Sequence, residues 1–259
     1  MTQTVIALFA FFLAFSQKLH AEIKEIQSTQ EIWAHVEPET LLIFDMDNTL
    51  IEPKQMLGSE AWFDRHRKEL ISRGASADQA MTEALTLWGQ IQRVTKVRAV
   101  ESNTARGIKK LQQSGIQLML LTGRPVDLMA TTGKQLKSVG IDFRVNPVWK
   151  YPVHIKALEH ARYEDGMLLS GVKNTKAQVL QEFFAKISWL PKRVVFVDEK
   201  LKHLLGVGEA MAEAGVPFLG LRYAASDSHA ERYDHSIALV QQKFFFEILD
   251  DKQAELLGR

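Results

Sequence analysis

Apolar and polar positions along this chain follow two rhythms. Leu41-Leu42-Ile43-Phe44 is a continuous apolar run ending at Asp45, the pattern of a strand buried on both faces. Gln117 to Leu121, ending at Thr122, and Val194 to Val197, ending at Asp198, repeat it. Val216 to Leu221 and Ile141 to Val145 are weaker candidates for two more strands. Helical periodicity fills the gaps. Asn103 is placed to cap a helix ending at Gly115, and Pro125 suits the first turn of one ending near Gly140. Asn174 is placed to cap a third, with Leu180, Phe183, Phe184 and Ile187 on one face, and Leu201 to Ala214 forms a fourth, stopped by Gly215. The alternation predicts an α/β fold, a Rossmann-like open parallel sheet with helices on both faces.

Two stretches break this rhythm. Between Glu52 and Glu101 no strand pattern occurs; Ser76 and Gln79 form a capping box, and Ala77, Met81, Ala84, Leu85, Trp88, Ile91 and Val94 recur every three or four residues. The expectation is a small helical insertion over 52–101, with 22–51 and 102–259 forming the core. From Ala161 to Val172, Glu164-Asp165-Gly166 sits between short apolar runs and predicts a β-hairpin.

The amino terminus carries its own pattern. Val5 to Phe15 is an unbroken apolar run of eleven residues, where a bilayer-spanning helix needs about 20. Followed by Ser16 to Ala21 and then a charged stretch, it reads as a signal peptide, residues 1–21, cut near Ala21. Its n-region lacks Lys and Arg. The expected destination is periplasmic or secreted, with no membrane span in the mature chain.

Composition narrows the chemistry. The 259 residues include no cysteine, which excludes disulfides, zinc–thiolate sites and a thiol nucleophile. With 32 basic and 31 acidic side chains, the chain lacks the basic excess of a nucleic-acid or membrane-surface binder. What remains lies at the strand ends. Asp45 and Asp47 follow the first strand, and a tight loop there can fan both carboxylates around one point. Such a pair can divide labour between nucleophile and general acid/base. Phosphoryl transfer also needs positive charge at the phosphate oxygens, here a Mg²⁺ held by oxygen ligands. Asp198 can complete that site with Asp45, and Thr122 and a lysine can take the remaining phosphate oxygens.

These residues resemble the haloacid dehalogenase (HAD) superfamily of phosphotransferases. Its D-x-D-x-T motif is matched by Asp45, Asp47 and Thr49, and its strand-end Thr by Thr122 in Leu-Leu-Thr-Gly-Arg. Its helix-start Lys is matched by Lys176 in Asn-Thr-Lys-Ala, and its late acidic pair by Asp198-Glu199. The likeness runs from Leu41 to Tyr223. It implies that Asp45 attacks phosphorus to form an aspartyl-phosphate. Asp47 would protonate the leaving oxygen and then activate water. Thr122, Gly123 and Lys176 would bind phosphate, and Asp45, Asp47 and Asp198 would hold Mg²⁺. Thr49 and Glu199 would support the site, Glu199 standing where Asp is commoner. The insertion falls where the family carries its type-one cap.

The resulting expectation is a Mg²⁺-dependent phosphate-monoester hydrolase acting on a small phosphorylated metabolite. Alternatives are a phosphotransferase to an alcohol and a low-turnover HAD-fold secreted binding or effector protein. The sequence names no protein partner. Arg65, His66, Arg67, Lys68, Arg93, Lys96 and Arg98 give the insertion a basic bias that either attracts an anionic substrate or forms a solvated face. Trp62 and Trp88 either anchor the insertion or stack on a substrate ring. His154, His160 and His203 read as surface or hairpin residues, and Phe244-Phe245-Phe246 as the core-docking face of the last helix.

Overall fold

The structure, a computed structural model, describes residues 21–158, 160–245 and 249–258. The expected signal peptide, apart from Ala21, lies outside these residues, as does Phe246. Described strands are β1 (Glu22–Ile26), β2 (Thr40–Phe44), β3 (Ile51–Pro53), β4 (Val97–Ala99), β5 (Gln117–Thr122), β6 (Val153–Ile155), β7 (Ala161–Glu164), β8 (Met167–Leu169), β9 (Arg193–Asp198) and β10 (Phe218–Tyr223). Helices are α1 (Thr29–Ile32), α2 (Glu60–Ser72), α3 (Ala77–Val94), α4 (Thr104–Gln113), α5 (Met129–Ser138), α6 (Lys176–Ile187), α7 (Leu201–Glu213), α8 (Asp227–Glu231), α9 (His235–Lys243) and α10 (Asp251–Leu257). Among the described residues, no helix is long and apolar enough to cross a membrane.

The main sheet runs β1-β10-β9-β2-β5-β8-β7-β6. It is parallel from β1 to β8, then antiparallel through β7 and β6. This is a mixed α/β fold with a mostly parallel central sheet flanked by helices. The pleat divides its strands between two cores. Leu42 and Phe44 join Ile108 and Leu136 on one face, while Leu41 and Ile43 join Phe183, Phe184 and Met211 on the other. A strand buried on both sides must be apolar throughout, which is why these runs read without alternation. Chain order reverses at β2, whose neighbours are β5 on one side and β9 on the other. The crevice at such a switch point, at the carboxyl ends of the strands, is where open α/β sheets bind ligands.

Several local expectations need correcting. Ile141 to Val145 forms no strand: Arg144 turns back on Asp142, its backbone N–H donating to Asp142 Oδ1 at 3.0 Å. The place beside β5 goes to β8, the second strand of the expected hairpin, which pairs antiparallel with β7. The hairpin turn holds Asp165 at φ 53° and Gly166 at φ 78°, where a Cβ on Gly166 would lie 2.2 Å from the Phe143 carbonyl oxygen. Thr175, not Asn174, caps α6 through a capping box with Gln178, because the Asn174 amide donates to the Ser170 carbonyl at 2.7 Å. Pro125 precedes a 3-10 turn, Val126–Leu128, that leads into α5. The segment between Glu52 and Glu101 is also not free of strand, since β3 and β4 pair antiparallel at the base of α2 and α3. The Ser76–Gln79 capping box at α3 is present.

The chain's last helices pack against the segment that carries α2 and α3. Ala238, Tyr233 and Phe245 join Leu57, Trp62 and Ile91 in one apolar cluster. Gln241, fully buried, accepts from the Leu57 N–H at 2.9 Å, and Asp251 accepts from the Met56 N–H at 3.2 Å. Phe245 therefore docks on the insertion rather than on the sheet, and Phe244 is exposed.

Candidate active site

The carboxyl ends of β2, β5 and β9 meet the amino end of α6 at one point. The Asp45 N–H continues the sheet ladder to the Val197 carbonyl at 2.9 Å, which fixes the backbone at Asp45. The chain then turns sharply, with Asn48 at φ 61° and the Leu50 N–H donating back to the Met46 carbonyl at 2.9 Å. Asn is among the few side chains that tolerate this left-handed geometry.

Lys176 opens α6 and is buried. Its ammonium donates to Asp45 Oδ1 at 2.5 Å and to Asp198 Oδ2 at 2.6 Å. Asp198 also accepts from the Lys200 N–H at 2.8 Å, and His203 Nδ1 lies 3.0 Å from its Oδ2. The Thr49 hydroxyl donates to Glu199 Oε2 at 3.0 Å. Carboxylate oxygens of Asp45, Asp198 and Glu199 lie within 4.8 Å of one another. Thr122 is buried at the end of β5 and Gly123 is exposed beside it; both line the same cavity.

The electrostatics of this group are unbalanced. Burial pushes Asp45 above the usual carboxylate range, with the Asp198 charge adding to the shift and Lys176 opposing it. Burial, then the charges of Asp45 and Asp198, push Glu199 well above its ordinary value. Asp198 alone is brought down, to about 2: burial would raise it, but Lys176 and His203 outweigh that. Burial likewise opposes the charge on Lys176, yet Asp198 and Asp45 hold it above the ordinary lysine value. Both directions follow from one shortage: three clustered acids face one fully buried ammonium, with the half-buried Lys200 ammonium 3.4 Å from Glu199 as partial relief. An all-oxygen, anionic donor set with excess negative charge fits a hard divalent cation such as Mg²⁺.

Asp47 sits differently. Its two oxygens accept from Arg124, Nη2 to Oδ1 at 2.7 Å and Nε to Oδ2 at 2.8 Å. Arg124 is 2% exposed. Its Nη1 donates to Gln135 at 2.7 Å, and its guanidinium lies 5.4 Å from the Trp88 ring centroid. The Gln135 amide in turn donates to the Gln92 carbonyl at 3.1 Å, and the Trp88 indole donates to the Gly58 carbonyl at 2.9 Å. Asp47 is thus tied, through Arg124, to the helical insertion. Glu60 at the start of α2 makes a second tie, accepting from Asn48 and from Lys200, each at 2.7 Å.

A cavity of about 490 Å³ lies between the strand ends and the insertion. Asp45, Asp47, Thr122 and Lys176 line its floor, and Phe63, Arg67, Met81, Leu85 and Trp88 its roof. Trp62 is buried against His66 instead. His203, expected at the surface, is half-buried on Asp198, while the His154 position is exposed on β6. Arg124 and Lys200 carry no site signal of their own in the sequence, and His203 reads there as a surface or hairpin residue. The text that could have pointed to Arg124 is its place two residues after Thr122 at a strand end.

Comparison with known proteins adds the following. A family model described as a protein of unknown function, DUF2608, matches residues 22–255. A Chlamydia pneumoniae protein named a candidate outer membrane protein is 26% identical over 241 residues, covering 93% of this chain and 90% of that one. A Chlamydia trachomatis protein of the same name is 28% identical over 220 residues, covering 84% of this chain and 82% of that one. Among solved structures, a haloacid dehalogenase-like hydrolase from Streptococcus pneumoniae is similar with a TM-score of 0.44 and 15% identity, covering 70% of this chain and 93% of that one.

Proposed function

The chain belongs to the DUF2608 family, and from the acids and lysine gathered at its strand ends we propose that it is a Mg²⁺-dependent phosphate-monoester hydrolase of the HAD type. The observation that carries this reading is Lys176, buried between Asp45 and Asp198 at the ends of adjacent strands and facing a roofed cavity. Asp45, Asp198 and the Asp47 backbone carbonyl would hold Mg²⁺, with Glu199 and Thr49 beside it. The cation supplies positive charge for the phosphate oxygens and for the excess of buried acid.

Asp45 attacks phosphorus. The bond from phosphorus to the leaving oxygen breaks, and an aspartyl-phosphate remains. Lys176 and Thr122, with the Gly123 backbone, hold the equatorial oxygens. Asp47 delivers a proton to the leaving oxygen and then takes one from the attacking water. To do so it must surrender one of its two contacts with Arg124. Residues 52–101 act as the cap that excludes water and selects the leaving group. Release of p-nitrophenol from p-nitrophenyl phosphate with Mg²⁺, lost in Asp45→Asn, tests the reading; no release by folded protein across a broad ester panel sinks it.

The Arg124 clamp favours a second reading, a low-turnover binding or effector protein, because it occupies both oxygens of the required acid. Phosphate binding without turnover would support that alternative. Export accompanies either reading: the apolar run at Val5 to Phe15 and the relatives named for the outer membrane support it. An intact Met1 on protein recovered from the cytosol would count against export.

A further inference from the structure

The roof of the cavity carries chemistry that hydrolysis itself does not use. On α2, Phe63 and Arg67 line it four residues apart, and on α3, Met81, Leu85 and Trp88 do so at spacings of four and three. Such spacings place side chains on one helical face. Two apolar side chains of this cavity have no core to join: Met81 in the roof is 38% exposed and Val172 at the floor's edge is 51% exposed. The cations divide sharply. Arg124 is spent on Asp47, Lys176 on Asp45 and Asp198, and Lys200 on Glu60. Arg67 is half-buried and makes no hydrogen bond or ion pair among the described residues. Lys202 also lines the cavity without a described partner, but it is exposed, where hydration competes for its charge. A half-buried guanidinium with free donors beside an apolar wall is built to take a planar or tetrahedral anion.

We infer that the substrate's leaving group is an apolar alcohol, ring- or chain-bearing, with a second anionic group. The apolar body seats against Phe63, Met81, Leu85 and Val172, and the second anion sits on Arg67. This rests on the phosphatase reading for the phosphate end alone.

Phosphonates, which bind without being cleaved, separate the two claims. Affinities are measured by calorimetry on the full chain with Mg²⁺ for methylphosphonate, benzylphosphonate, 4-carboxybenzylphosphonate and 1,4-bis(phosphonomethyl)benzene. Benzylphosphonate should bind more tightly than methylphosphonate. A second anion should add about tenfold more, and comparing the carboxylate with the second phosphonate tells which anion the site prefers. In Arg67→Gln the ratio between the doubly and singly anionic ligands should fall close to one. Equal affinity for these ligands in the wild type overturns the inference, as does no binding by any of them. A ratio that survives Arg67→Gln also overturns it, and its collapse in Lys202→Gln would move the second anion to that lysine. Turnover of p-nitrophenyl phosphate is scored separately, so a protein that hydrolyses esters without this preference loses only the present inference.

Discussion

The floor of the site and its roof are held by different means. The floor is assembled from strand ends: Asp45, Thr122 and Asp198 close three neighbouring parallel strands, and Lys176 opens the helix beneath them. Its members are placed by the sheet ladder and sealed by burial. The roof is two amphipathic helices pinned at their edges by polar contacts from distant parts of the chain. Arg124, Gln135 and Lys200 reach it from the sheet side, and Gln241 and Asp251 from the carboxyl terminus. A site whose floor is set by the sheet can keep its chemistry while its roof varies. The roof here is clamped from two sides, so access to the cavity depends on those pins.

The largest expected effect lies in the floor. Asp45→Asn should lower kcat for phosphate release by about 10⁴-fold or more, as loss of a nucleophile does elsewhere; a fall of tenfold would remove Asp45 from that role. Arg124→Met comes next, because it belongs to both regions. Removing a buried cation from a carboxylate that stays one-third exposed should cost about 2 kcal/mol in urea unfolding. Activity should also fall, as Asp47 loses its orientation. Unchanged stability would mean that the clamp does not couple floor to roof.

Mg²⁺ addresses the floor alone. At a hundredfold over its Kd it should stabilise the fold by about 2.7 kcal/mol, read as a rise in Tm that Asp198→Asn diminishes. No rise would break the claim that the clustered acids await a cation. The smallest effect belongs to the roof. Gln241→Ala removes a buried acceptor from the Leu57 N–H and should cost about 1–2 kcal/mol. The Leu57 amide should exchange with solvent faster while amides of β2 do not. Equal acceleration in both would show that roof and floor open as one unit.

The same division governs what was legible in the sequence. β2, β5 and β9 are buried on both faces, so their apolar runs announced them, and the residue ending each run was a site candidate by position. The capping box at Ser76 and the spacing from Met81 to Ile91 likewise exposed α3. Local signals failed where partners are remote. β1 is an edge strand, Glu22-Ile23-Lys24-Glu25-Ile26, without clean alternation, and it reads only as a charged stretch until it pairs with β10. Ile141 and Phe143 bury their side chains without joining the sheet, which an apolar count cannot distinguish from a strand. Arg124 pairs with a carboxylate 77 positions away, and Gln241 with an amide 184 away. No spacing rule brings such residues together.

The central claim is that Asp45 bonds to phosphorus. Wild-type protein mixed with p-nitrophenyl phosphate and Mg²⁺, quenched in acid and mapped by peptide mass spectrometry, tests it most directly. The account predicts a phosphoryl group on the peptide containing Asp45, absent from Asp45→Asn. Phosphate release that persists in Asp45→Asn, with no adduct on that peptide in the wild type, would contradict it.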